Sequence, residues 1–218
     1  MCCIAGRMPS HHQVSANWEH DNWKSIRAET LTHHMGEHPN HFPDVQFKVA
    51  YCSEALYVIF RVEDQYVRAM ATAHEDPVYE DSCVEFFFSP SRQQTTRYFN
   101  LEMNCCGKML FHAQKAPREG VVLRTDERNK VDIAHTLKGS INKEIKTDIT
   151  WGVEYRLPFT ILEHYASVER PAPDTVWRAN FYKCADKSSH PHWLTWAPVD
   201  HPKPDFHRPE FFGEIFFR

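Results

Sequence analysis

The chain lacks any run approaching the roughly 20 consecutive apolar residues with which a helix crosses a bilayer, which excludes a span of that kind. Its opening, Met1-Cys2-Cys3-Ile4-Ala5-Gly6-Arg7, has no long apolar stretch of the sort an export signal carries. The expectation from the chain as given is a cytoplasmic protein; a periplasmic or secreted one follows only if a signal was trimmed. An excess of one charge sign is missing too. Twenty-five Lys and Arg stand against 29 Asp and Glu, for a formal net charge of −4. That balance gives no reason to expect nucleic acid or an anionic membrane as partner. The seven cysteines are odd in number, with adjacent pairs at Cys2-Cys3 and Cys105-Cys106. They do not make the even, spaced framework that staples small secreted folds, and a reducing compartment suits them better. There is no nucleophile elbow, phosphate loop or metal-ligand signature, and no internal repeat.

What remains is the composition of an ordinary globular protein, 42% hydrophobic and 25% charged over 218 residues, a length at which all-β domains often stay undivided. Fifteen histidines are many, and several fall in His33-His34-Met35-Gly36-Glu37-His38-Pro39-Asn40-His41. Such side chains suit a metal. No i, i+4 pair there sits on a recognisable helix, so a solvated loop is the expected state.

The dominant pattern is short β-branched and aromatic runs between turn formers. Val45 to Tyr51 alternates strictly, turns at Ser53-Glu54 and continues through Leu56 to Val62, which reads as a hairpin. Further strands are expected over 82–88, 98–104, 108–112, 141–148, 151–157, 176–184 and 214–217, with one short helix after Pro158. The expectation is a single antiparallel β-sandwich over 1–218, of about nine strands, with residues 1–44 an extension or its first strands. Trp18 and Trp23 are expected to plug one end of it.

Period two puts Phe99, Leu101 and Met103 on one face of their strand and Tyr98, Asn100, Glu102 and Asn104 on the other. Trp177, Ala179 and Phe181 oppose Arg178, Asn180 and Tyr182 in the same way. One reading of the polar faces is plain solvation. The other is a wall of directional hydrogen-bonding groups of the kind sugar hydroxyls require. Glu85, between apolar neighbours, must be paired, whether with Arg61, with Arg178 or with adjacent ligand hydroxyls. Trp193 and Trp196 lie three residues apart, so on a strand they point to opposite faces and at most one belongs to a site.

Five blocks then carry a resemblance: Leu56 to Asp64; Tyr79-Glu80-Asp81-Ser82-Cys83-Val84-Glu85-Phe86-Phe87; Tyr98 to Asn104 with Gly107; Trp151 to Phe159; and Trp177 to Tyr182. Their order, over roughly 45–218, resembles carbohydrate-binding module family 9, and the ending Phe206 to Gly213 resembles the close of its stand-alone members. The resemblance implies a non-catalytic β-sandwich gripping the end of a glucan or xylan chain between two tryptophans, with polar residues reading hydroxyls. It implies a site at Tyr79, Glu85, Asn100, Arg178, Asn180 and Trp196, with Trp193 the alternative second ring. Tyr79 stands where the family usually has Trp and offers a smaller stacking face. Structural calcium often accompanies the family, although no calcium loop stands out in this sequence. An oligosaccharide ligand, and glycan-degrading enzymes as partners, follow from the same resemblance. Two other readings compete: a glycoside hydrolase using Glu85 and Glu102, whose carboxyls would have to lie about 5 to 10 Å apart, and an interaction module whose sugar site has decayed.

Overall fold

A strand turns successive side chains to opposite faces, and in this chain the apolar half of each alternating run meets its counterparts in one dry layer. The computed structural model describes all 218 residues. In chain order the strands are β1 (Cys2–Arg7), β2 (Glu29–Thr30), β3 (His33–His34), β4 (Asp44–Tyr51), β5 (Ala55–Asp64), β6 (Val67–Ala69), β7 (Cys83–Ser89) and β8 (Tyr98–Asn104), then β9 (Met109–Ala116), β10 (Glu119–Val122), β11 (Asp132–His135), β12 (Ile141–Ile145), β13 (Ile149–Pro158), β14 (Val176–Cys184), β15 (Trp193–Thr195) and β16 (Gly213–Phe217). Three one-turn helices, α1 (Asp21–Lys24), α2 (Thr125–Arg128) and α3 (Phe159–Leu162), complete the regular structure together with two 3-10 turns.

The first sheet runs β10-β9-β8-β7-β14-β16-β1 and the second β1-β4-β5-β13-β11. β1 belongs to both: Cys2 to Ala5 pair with β16, and Gly6 and Arg7 pair with β4, each in parallel. All other pairings are antiparallel, β6 and β12 making a small separate pair. Between the sheets, Phe47 of β4 stacks on Phe181 of β14 with centroids 3.7 Å apart, and Phe181 stacks in turn on Phe86 of β7 at 4.7 Å. Rings of this kind contribute about 1.5–3 kcal/mol each by burial. This is the sandwich core.

Each expected strand has its counterpart, and the hairpin forms where Tyr51 pairs with Leu56. Seven further strands, β1, β2, β3, β6, β10, β11 and β15, are short or run without alternation. Two of the three helices lie outside the one expected place, and α3 stops at Leu162. The histidine-rich segment is not wholly a loop, because His33 and His34 pair with Thr195 and Leu194. Residues 1–44 are not an appendage. They supply β1 to β3 and cover the outer face of the second sheet, where Trp23 is fully buried against Ala50, Tyr57 and Ile59. Trp23 therefore packs on a face and does not plug an end; Trp18 is half-buried with Lys48 Nζ over its ring at 4.3 Å.

Candidate functional site

The outer face of the first sheet carries the other half of the alternation. Where β7, β8 and β9 run side by side, Glu85 and Phe87, Asn100 and Glu102, and Leu110, His112 and Gln114 form the floor of a cavity of about 520 Å³, with Cys184 from the end of β14 beside them. Its walls come from Tyr79, from Trp193 at the start of β15, and from the loop residues Asp186, Arg118 and the segment Pro204 to His207.

Tyr79 sits in the 3-10 turn Val78–Glu80 and is 41% exposed, so its ring is available. The Asp-Ser pair that follows explains its position. Asp81 accepts hydrogen bonds from the Met70 and Ala71 backbone N–H groups at 2.8 and 2.9 Å and from Asn104 Nδ2 at 3.0 Å. Ser82 Oγ accepts from the Arg68 N–H at 3.2 Å. These bonds fix the turn above the sheet. Trp193 arrives by register: it lies opposite Cys184 in the β14–β15 pair, and directly opposite residues share a face. Its Nε1 donates to Asp186 Oδ1 at 2.8 Å.

Glu85 is buried and accepts one hydrogen bond, from Cys184 Sγ at 3.1 Å. Burial, then the adjacent Cys184, then Glu102 across the ladder hold its carboxyl well above the usual range. Glu102 faces it directly in the β7–β8 register and is pushed up to about 7 by burial, against the opposing effect of Asn100 Nδ2, which donates to it at 3.0 Å. Gln114 Nε2 donates to Asn100 Oδ1 at 2.9 Å. The Gln114 amide fits only because residue 120 is glycine; a Cβ there would meet Gln114 Cδ at 2.5 Å. Burial also raises Asp186 and Cys184, and it lowers His207 to about 4.

The structure thus brings Tyr79, Glu85 and Asn100 to one cavity and leaves three other expected residues outside it. Arg178 has the right face, but Nη2 donates to the Pro209 carbonyl at 3.0 Å, under the C-terminal segment. Asn180 is fully buried, its Nδ2 donating to the Ala197 carbonyl and its Oδ1 accepting the Ala197 N–H. Trp196 belongs to the core, edge-on to Phe47 and Phe181 and lying on Gly213, where a Cβ would meet its ring at 2.7 Å. Of the two tryptophans, the cavity takes Trp193. Gln114 lies two residues past the expected end of β9 at His112, and Cys184 continues by period two the face of Arg178, Asn180 and Tyr182 within the strand expected over 176–184. Asp186, Arg118 and His207 lie on loops that no local pattern marks.

The structural calcium that the resemblance allows would need a set of oxygen donors. The group of three ligating side chains that converge within 4.8 Å is Cys83, Glu85 and Cys184, and two thiols do not suit a hard cation. The buried Asp64 already holds His41 Nε2 at 2.7 Å and faces the Lys183 ammonium at 3.6 Å. Nor does the glutamate pair have the layout of a hydrolase. The two carboxyls stand side by side on the floor, whereas glycoside cleavage needs them on opposite sides of the scissile bond.

A β-sandwich with a cavity of this size, two aromatic rings at its side and a floor of carboxyl and amide groups defines a small-ligand binding domain. The comparisons agree. The model for carbohydrate-binding family 9 matches residues 21–217, and the chain belongs to that family, whose modules are non-catalytic. A candidate carbohydrate-binding protein from Bacteroides uniformis ATCC 8492 superposes with a TM-score of 0.89 at 26% identity, covering 100% of this chain and 99% of that one. Two structures of a family 9 module from Caldicellulosiruptor kristjanssonii share the fold. The cellotriose complex has a TM-score of 0.68 at 13% identity over 100% of this chain and 94% of that one. The glucose complex has 0.67 at 14%, over 99% and 95%. None of the curated proteins is similar in sequence.

Proposed function

We propose that this protein binds the end of a glucan- or xylan-type oligosaccharide in the cavity between Tyr79 and Trp193 and serves a glycan-degrading system without reacting with its ligand. The observation that carries the reading is the pairing of two aromatic rings on the walls with a carboxyl and amide floor at Glu85, Asn100, Glu102 and Gln114. A pyranose has that duality: C–H faces that pack on rings and hydroxyls that need directional partners. Cellotriose and glucose in the Caldicellulosiruptor kristjanssonii modules support the ligand class.

Calorimetry and tryptophan fluorescence against glucose, cellobiose, cellotriose and xylobiose test it. Binding of at least one is expected, with the Trp193 emission shifted. Tyr79→Ala and Trp193→Ala should each weaken binding by about 1–3 kcal/mol while leaving the thermal midpoint nearly unchanged. No response across the panel, or unaltered affinity in both variants, would overturn the reading or its placement.

A further inference from the structure

The charge on the cavity floor is one-sided. One N–H of Gln114 Nε2 is used on Asn100 Oδ1 and one of Asn100 Nδ2 on Glu102 Oε1, so the carboxyl orients both amides, each with a second N–H left over. Cys184 donates to Glu85, and Trp193 Nε1 donates to Asp186. Acceptors are left over. Gln114 Oε1 is buried with no partner, and Glu85 and Glu102 receive one donor each, where an ionised carboxylate has about four acceptor positions. No lysine lines the cavity, and its arginine, Arg118, is held by Asp205 at 2.8 Å.

The charges around the glutamate pair do not repair this. Besides one another, Glu85 faces Cys184 and Asp186, while Glu102 faces Asp186, Glu75 and His112, and His112 Nε2 is bonded to Glu75 at 2.8 Å. Two carboxyls directly opposite on one sheet face repel when both ionise, and nothing cationic stands free beside them. The site is short of a positive charge.

We propose that the cavity is selective for amino sugars, preferring a hexosamine over the matching neutral hexose and refusing the uronate. This rests on the sugar-binding reading above and specifies its ligand. A protonated amine brings three donors and a charge, which suit the Glu85 and Glu102 carboxyls facing one another across the β7–β8 ladder. A hydroxyl in the same place satisfies part of the set without charge. A carboxylate would add a further negative group beside Glu85, Glu102 and Asp186, and that mismatch is the repulsive element specificity needs. Burial holds protons on the empty pair, so seating an ammonium ionises the pair and releases proton to solvent.

The test is calorimetry of the full chain at about pH 6.5, where an amine of this kind is protonated. Glucosamine, N-acetylglucosamine, glucose and glucuronate are compared, then the β-1,4-linked glucosamine disaccharide and cellobiose, each in two buffers of different ionisation enthalpy. Glucosamine and its disaccharide should bind at least about tenfold tighter than their neutral partners, N-acetylglucosamine, whose amide carries no charge, should gain no such preference, glucuronate should not bind, and the buffer dependence should report proton release. Glu102→Gln should cut the preference to about threefold or less; should that variant fail to fold, the order of affinities in the native chain decides alone. Glucose or cellobiose binding as tightly as its amino counterpart, or no proton release, would sink the selectivity and leave sugar binding intact. Silence toward every sugar, neutral ones included, would instead sink the sugar-binding reading.

Discussion

The outer faces of the two sheets both bury glutamate, and they treat it in opposite ways. On the second sheet Glu154 of β13 is fully buried under the N-terminal segment and accepts four hydrogen bonds: from His12 Nε2 at 2.7 Å, the Ser15 and Ala16 N–H groups at 2.8 Å, and Trp23 Nε1 at 2.9 Å. On the first sheet Glu85 and Glu102 are nearly as buried but receive one donor each, and they line a cavity. A carboxylate with a full set of donors is a fastener. A pair left short of donors, in an open cavity, costs the free protein stability and is what a ligand can satisfy. The contrast separates the structural face from the binding face without reference to any relative.

The largest expected effect breaks the comparison at its firm end. Glu154→Ala would strand Trp23 Nε1, His12 and two backbone N–H groups in a dry layer, and urea denaturation should register a loss of about 3–5 kcal/mol. Sugar affinity of the fraction still folded should be unchanged, since Glu154 is on the other sheet. A loss below about 1 kcal/mol would mean the N-terminal cover is held by something else.

At the unsatisfied end the sign reverses, and pH shows it. Glu102 has a folded value of about 7 against an ordinary 4.5. Between those limits the folded state holds the proton that the unfolded chain has released. Stability from this group is therefore complete below pH 4.5 and declines as pH rises toward 7, by up to about 1.4 kcal/mol per pH unit. Glu102→Gln cannot ionise. Its stability relative to the native chain should be level at low pH and grow through this window to a gain of roughly 2–3 kcal/mol near neutrality. Denaturation midpoints across the range check it, and a difference that stays flat or falls would contradict the assignment of Glu102 as an unsatisfied group.

Much of this contrast was legible in the sequence, because alternation is local. It put Phe99, Leu101 and Met103 against Asn100 and Glu102, and it set Trp177, Ala179 and Phe181 on the dry side; the structure has these faces so arranged. Alternation does not say what lies over a face. Arg178, Asn180 and Tyr182 share the polar face with Cys184, but the Ala197 backbone takes Asn180 and the C-terminal segment covers the other two, Pro209 accepting from Arg178 and Phe206 stacking on Tyr182 at 4.1 Å. The choice between Trp193 and Trp196 depended on the pairing of Trp193 with Cys184, a register no local pattern contains. β1 was illegible for a similar reason: its partners are β16, more than 200 residues on, and β4, and a short strand pairing in parallel at both edges carries little periodic signal. The N-terminal donors to Glu154 were hidden likewise, since two of the four are backbone groups.

Arg178 gives the smallest effect and the finest cut between the two kinds of residue on one face. Its guanidinium donates to the Pro209 carbonyl at 3.0 Å and lies near that of Glu210 at 3.4 Å, tying the 3-10 turn Pro209–Phe211 to β14. Arg178→Met keeps the stem and deletes the donors, so it should cost about 1 kcal/mol of stability and leave sugar affinity within about twofold. A residue that reads the ligand would do the reverse, losing affinity with stability unchanged. Because the C-terminal segment also supplies Phe206 and His207 to the cavity wall, the pairing of a small stability loss with intact affinity shows that the strap can loosen at Pro209 without moving the wall. Affinity falling in step with stability would show instead that the wall is held from Arg178, and the boundary between the fastened and the open parts of this face would move toward the core of the sheet.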